Sequence, residues 1–167
     1  MLRASAKPTP TPSPKPPPIG DACLVGTWRD HGYHTTTTFN GVTVQMTGGS
    51  GNVDHLTASG TETDVYGSNA LPFYGTYNGG TLEEELLGED MSSLRANPRN
   101  HQITKVDHGW TVASSAKYVY QGSTNTGTFG KPSNKPVIYG YRCTASTLTW
   151  LLKGKVNDVE TRVSSKP

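Results

Sequence analysis

Apolar and β-branched residues recur at every second position in short runs along this chain, and turn residues separate the runs. Val42-Thr43-Val44-Gln45-Met46 alternates strictly, which is the period of a half-buried strand. Residues 53–57 and 61–66 flank Ser59-Gly60 and predict a hairpin. A first strand is predicted to open at 24–28 and to continue through 35–39. Later runs predict strands over 73–77, 102–106, 111–113, 117–120, 137–142, 147–152 and 159–163. Pairs such as His31-Gly32, Asn40-Gly41, Gly48-Gly49, Asn78-Gly79 and Lys153-Gly154 punctuate them. About eleven short strands at ~8–12-residue spacing predict an antiparallel barrel or sandwich. One segment reads two ways. Thr81 and Glu84 fit a helical capping box, with Leu82 and Leu86 one turn apart and Gly88 as the stop. Equally, 81–87 reads as an edge strand whose acidic side chains block further pairing. Residues 95–100 read as a loop, because Pro98 biases Asn97 away from helix.

Composition supports the β reading. Thr (23), Gly (19) and Ser (14) make up 56 of 167 residues, and they favour strands and turns. A net charge of +2 with no Lys/Arg cluster gives no nucleic-acid footprint. No apolar run approaches the ~18–20 residues of a spanning helix, so direct membrane insertion by this segment is not expected. Seven of the 12 prolines fall between Pro8 and Pro18. Residues 1–20 therefore read as a disordered, proline-rich stalk, followed by one β domain over 21–167. A stalk needs an anchor, and none of its residues forms an apolar leader, so a signal or membrane helix is expected upstream.

Cys23 and Cys143 are the only cysteines. Neither lies at metal-ligand spacing from another candidate ligand, so no metal site is expected there. Together with the stalk they favour a disulfide in an oxidising compartment, with two buried thiols as the alternative. A bridge would set the start of the domain beside a late strand, as in a sheet closed on itself.

The run Cys23-Leu24-Val25-Gly26-Thr27-Trp28-Arg29 resembles the opening strand of calycin-type barrels, the lipocalins and nitrobindins among them. The resemblance implies that Gly26 and Trp28 belong to a G-x-W motif whose indole plugs one end of the barrel. It also implies a basic residue on the last strand over that indole, for which Arg162 is the match; a guanidinium on an indole is a cation–π contact. The later runs Gly60-Thr61-Glu62-Thr63 and Tyr141-Arg142-Cys143 resemble small exported, stalk-borne barrel domains of actinobacteria-type bacteria. Nitrobindin-like heme binding would need a late histidine, and His108 is the last, so no cofactor is expected.

Candidate chemistry is sparse. His31 and His34 are three apart and face opposite sides of a strand. In Asp54-His55 and Asp107-His108 the adjacent side chains also point apart. The stretch holding Glu83, Glu84, Glu85, Glu89 and Asp90 lacks the spacing of a calcium loop and reads as a solvated acidic face. Tyr118 with Tyr120, and Tyr139 with Tyr141, form i, i+2 pairs, each on one face of its strand. If those strands pair, the four rings form one stripe that, with Trp110, lines a small cavity, makes an outward aromatic platform for a sugar or partner, or simply fills the core.

These features predict an all-β, antiparallel, up-and-down calycin-like barrel of about 8–11 strands with at most one short helix. The function they imply is non-enzymatic: an exported, extracellular or envelope-tethered binding or sensor module holding a small, mostly apolar ligand. Trp110, Tyr118, Tyr120, Tyr139 and Tyr141 would line its site. The alternative is a surface domain that recognises envelope glycan or protein and holds no interior ligand.

Overall fold

A computed structural model of the chain describes residues 19–67, 72–110, 113–120, 123–127 and 134–167. A three-residue 3-10 turn, Ala22–Leu24, precedes thirteen strands. These are β1 (Gly26–Asp30), β2 (Tyr33–Phe39), β3 (Val42–Gly48), β4 (Val53–Leu56), β5 (Thr61–Tyr66), β6 (Phe73–Tyr77) and β7 (Gly80–Asn97). They continue with β8 (Gln102–Trp110), β9 (Ala113–Tyr120), β10 (Ser123–Gly127), β11 (Val137–Cys143), β12 (Thr147–Leu152) and β13 (Lys155–Ser164). No helix among the described residues is long and apolar enough to cross a membrane.

Eight strands close a ring in the order β1, β4, β5, β7, β8, β11, β12, β13 and back to β1. Every neighbouring pair is antiparallel. Around the ring the strands keep chain order, so the barrel is up-and-down, as the turn spacing predicts. Three insertions interrupt the meander: β2–β3 after β1, β6 after β5, and β9–β10 after β8. Because successive ring strands run in opposite directions, all three leave from the same end. They pair with each other and with the first part of β7 in the order β2, β3, β6, β7, β9, β10.

Strand β7 is common to both sheets. Residues 81–87 pair with β9, and residues 88–93 pair with β5. Gly88 lies where the strand passes between sheets, with a φ of +123° that side chains rarely adopt. The ambiguous segment 81–87 is therefore a strand, and it is not an edge, since β6 and β9 flank it. Two other expectations are corrected. Residues 24–28 and 35–39 do not share one strand: the chain turns at His31-Gly32 and enters the second sheet. Arg95 to Asn97 stay in β7, and the turn covers 98–101.

The opposite end of the ring carries short turns and the main apolar core. Leu24, Trp28, Leu56, Leu94, Ile103, Tyr141 and Leu148 pack there with Ile19. Burying each such aliphatic side chain contributes about 1.5–3 kcal/mol. Ile19 lies inside the domain rather than in the tail. Its N–H donates to Ala58 O at 3.0 Å, and its carbonyl accepts from the Ala96 N–H at 2.7 Å. The remaining tail residues, 1–18, lie outside the described residues.

Cys23 and Cys143 form the disulfide, 120 residues apart in sequence, so the ring's first and late strands are joined at this end. Trp28 is fully buried, and its indole N–H donates to Leu24 O at 2.8 Å. The Arg162 guanidinium lies 4.0 Å from the indole centroid. It also donates to Val25 O at 2.7 Å, Cys23 O at 2.5 Å and Ala145 O at 2.8 Å. A Cβ on Gly26 would meet Arg162 Nη1 at 2.5 Å. The three motif residues thus form one plug: glycine makes room for the arginine that covers the tryptophan. The architecture is that of a closed, antiparallel, eight-stranded barrel.

Candidate functional site

The end of the ring from which the insertions leave encloses a cavity of about 250 Å³. All eight ring strands contribute to its lining, and β2 and β6 add Tyr33 and Phe73. Period-two alternation explains how each residue arrives. Once the apolar end fixes which face of a strand points inward, every second residue towards the other end also points inward. On β1, Trp28 is followed by Asp30; on β4, Leu56 is preceded by Asp54; on β13, Arg162 is preceded by Glu160 and Asp158. On β5 the inward set is Glu62, Asp64 and Tyr66, and on β8 it is Ile103, Lys105 and Asp107.

The lining holds Asp30, Asp54, Glu62, Asp64, Glu84, Asp90, Asp107, Asp158 and Glu160, nine of the 13 acidic residues in the chain. Lys105 is the single basic residue among the described lining. The chamber therefore carries a formal charge of −8. The other four acids and 14 Lys/Arg leave +10 over the rest of the chain, which restores the net +2. A near-neutral composition conceals a strongly segregated molecule.

Lys105 spans part of this charge. Its ammonium lies 2.5 Å from Glu62 Oε2 and 3.4 Å from Asp64 Oδ2. Burial drives the Asp64 carboxyl up, but Lys105 and hydrogen bonds from Asp54 and Tyr66 outweigh it and hold Asp64 below the usual carboxylate range. Tyr33 and Tyr66 also line the chamber, with their hydroxyls 3.3 Å apart. The Trp150 indole N–H donates to Glu160 Oε1.

No second lysine or arginine stands among the described lining to offset the other acids. Asp30 Oδ1, Asp54 Oδ1, Asp90 Oδ1, Asp158 Oδ1 and Glu160 Oε2 are buried without a hydrogen-bond donor from any N–H or hydroxyl. Burial, then the charges of Asp158 and Glu160, raise the Asp30 carboxyl to about 11. Burial, then Asp64, pushes Asp54 well up, and burial, then Asp158, does the same to Glu160. Burial also raises Glu62 and Glu84 to about 7, and Asp90 and Asp158 to about 6.

The tyrosines do not form a single stripe, because β9 and β11 do not pair. Tyr139 lines the chamber, edge-on to Trp150 at 5.7 Å. Tyr141 belongs to the apolar core, where its hydroxyl donates to Asp21 Oδ2 at 2.6 Å. Tyr118 and Tyr120 lie in the second sheet, stacked 6.3 Å apart, with the Tyr118 hydroxyl donating to Tyr77 O at 3.1 Å. Trp110 ends β8, and its side chain lies outside the described residues. The histidines take no part in the chamber. His31 bonds Thr161, His34 bonds Thr47, His55 bonds Thr27 and His108 bonds Ser93. The acidic stretch splits by alternation: Glu84 and Asp90 face the chamber, while Glu85 and Glu89 are exposed.

Sequence reasoning passed over the acids. The signal was present in Glu62-x-Asp64 and Asp158-x-Glu160, i, i+2 pairs of the kind that put two tyrosines on one face. Fold and site together define an up-and-down β-barrel with a dry plug at one end and an acidic chamber at the other. Compared with protein-family models, with curated proteins and with solved structures, the chain gives no match in any of the three.

Proposed function

We propose that this protein is a binding module that holds a small positively charged ligand in the barrel chamber. The observation that carries this reading is the convergence of nine carboxylates and one lysine on a single cavity. Concentrating like charge in a desolvated space is costly unless a counter-charge arrives. Tyr33, Tyr66, Phe73, Tyr139 and Trp150 also line the chamber and offer ring faces suited to a cation. A neutral, mostly apolar ligand would strip water from the carboxylates and return nothing, so the cationic ligand is preferred to the apolar one. The disulfide and the proline-rich segment support an exported or envelope setting as part of the same proposal.

Thermal melting and calorimetry against cationic, neutral apolar and anionic small molecules at matched ionic strength test the reading. Cations alone should raise the melting temperature, and Asp64→Asn with Asp158→Asn should abolish the response. Stabilisation by a neutral lipid-like molecule, with no response to cations, overturns it. A second reading rests on the stacked Tyr118 and Tyr120 pair, of which Tyr120 is 41% exposed. A glycan- or protein-recognising surface there predicts binding that Tyr120→Ala removes and chamber substitutions leave intact.

A further inference from the structure

We infer that the convergence of Asp30, Asp54 and Glu160 is a binding site for one hard divalent cation, with Ca²⁺ preferred to Mg²⁺. This rests on the chamber being a cation site and names the cation. The three acids come from three adjacent ring strands, β4, β1 and β13, and Asp30 and Glu160 are direct cross-strand partners. Like charges placed opposite each other on one sheet face destabilise it, so this pair needs something between its members.

One oxygen from each of the three acids lies within 4.8 Å of the others. Ca²⁺ binds oxygen at ~2.3–2.6 Å and so bridges oxygens up to ~5 Å apart, whereas Mg²⁺ at ~2.0–2.1 Å reaches only ~4 Å and demands stricter geometry. The residues are 0–4% exposed, and Asp30 Oδ1, Asp54 Oδ1 and Glu160 Oε2 accept no hydrogen bond from any N–H or hydroxyl. All three residues line the chamber. Asp64 and Asp158, next to the trio, offer further oxygens towards the six to eight that Ca²⁺ takes. Neither His nor Cys is among the three, so the donor set is all oxygen and favours a hard ion over zinc or copper.

Charge balance points the same way. Three ionised carboxylates around a monovalent ammonium leave two buried charges uncompensated; around a divalent ion they leave one. Lys105 is already engaged by Glu62 and Asp64. Beside the trio, Asn52 buries a carboxamide with neither oxygen nor nitrogen bonded, and its backbone carbonyl accepts the Asp30 N–H at 3.1 Å.

The test uses the full chain stripped with a chelator and titrated with CaCl₂, MgCl₂ and the diamine putrescine. Calorimetry, thermal melting and tryptophan-sensitised Tb³⁺ luminescence are the readouts. One Ca²⁺ per chain should bind, with a rise in melting temperature, weaker Mg²⁺ binding, and Tb³⁺ emission that Ca²⁺ quenches by competition. Asp54→Asn and Glu160→Gln should each weaken Ca²⁺ by more than about tenfold, since ligand charge sets affinity at such sites. Each replaces an acid by a near-isosteric amide, and either alone suffices if the other does not fold. Glu83→Gln with Glu85→Gln, on the outer face, should leave binding unchanged. Ca²⁺ binding that survives Asp54→Asn or Glu160→Gln, or is lost in the outer-face variant, overturns the site. A response to putrescine without one to Ca²⁺ overturns the metal and leaves the cationic chamber standing. A response to neither overturns both.

Discussion

The two ends of this barrel are built from the same strands and behave as different solvents. Towards the short turns, β1, β4, β7, β8 and β12 point Trp28, Leu56, Leu94, Ile103 and Leu148 inward, with β13 adding the Arg162 side chain over the indole. Two to four residues along, β1, β4, β7 and β8 point Asp30, Asp54, Asp90 and Asp107 into the chamber. The apolar end makes its own stability, because each side chain it buries prefers burial. The acidic end gathers like charge in a buried space, which burial disfavours. It is a space that the apolar end, the disulfide and the ring's hydrogen bonds hold open at a cost. Apolar packing and charge have been divided along the barrel axis.

That division can be broken most sharply at the plug. Replacing Cys23 and Cys143 by Ser opens a loop of 120 residues, and loop entropy puts the loss at about 4–5 kcal/mol. Urea unfolding of the double variant should show it, with the wild type under reducing agent as a parallel measurement. Leu148→Ala, a fully buried site, should cost about 2–5 kcal/mol in the same experiment through lost transfer energy and a residual cavity.

Substitutions in the chamber should behave in the opposite way. Asp54 is buried, and burial with the Asp64 charge pushes its carboxyl well up, so a neutral amide of the same shape should replace it at little cost. In ligand-free protein at neutral pH it should change stability by less than about 1 kcal/mol, or raise it. A loss as large as that of Leu148→Ala would show that the chamber carries the fold.

The smallest effect sharpens the comparison through pH. Glu62 and Glu84 are raised from 4.5 to about 7, and Asp90 from 3.8 to about 6. A carboxyl whose folded value lies above its unfolded value is fully stabilising below the unfolded value, and this is lost as pH rises through the folded one. Ligand-free protein should therefore melt higher at about pH 5 than at about pH 8. Asp64, held low, opposes this only at more acidic pH. A flat or rising profile between those values would show that the chamber acids are already compensated.

Much of this was legible in the chain. Period-two runs and turn pairs located β3 to β6, β11 and β12 closely, and Gly26, Trp28 and Arg162 announced the plug. The segment 81–87 was undecidable locally, because a capping box and an alternating strand share the same residues; pairing with β6 and β9 settled it. The tyrosine pairs left a similar question open. An i, i+2 pair shows that two side chains share a face without saying which face or which strand lies alongside.

The sequence by itself determined that this chain is β; its two cysteines favoured a bridge, and the resemblance of its opening strand implied an indole capped by a late arginine. Those features are local, or depend on two points meeting. Only the tertiary structure decided where the charge resides. Thirteen acids spread over the chain give an unremarkable composition, and nine of them become neighbours only when eight inward faces are wrapped around one axis. Alternation fixes relative facing within a strand, but inside and outside exist only after the ring has closed.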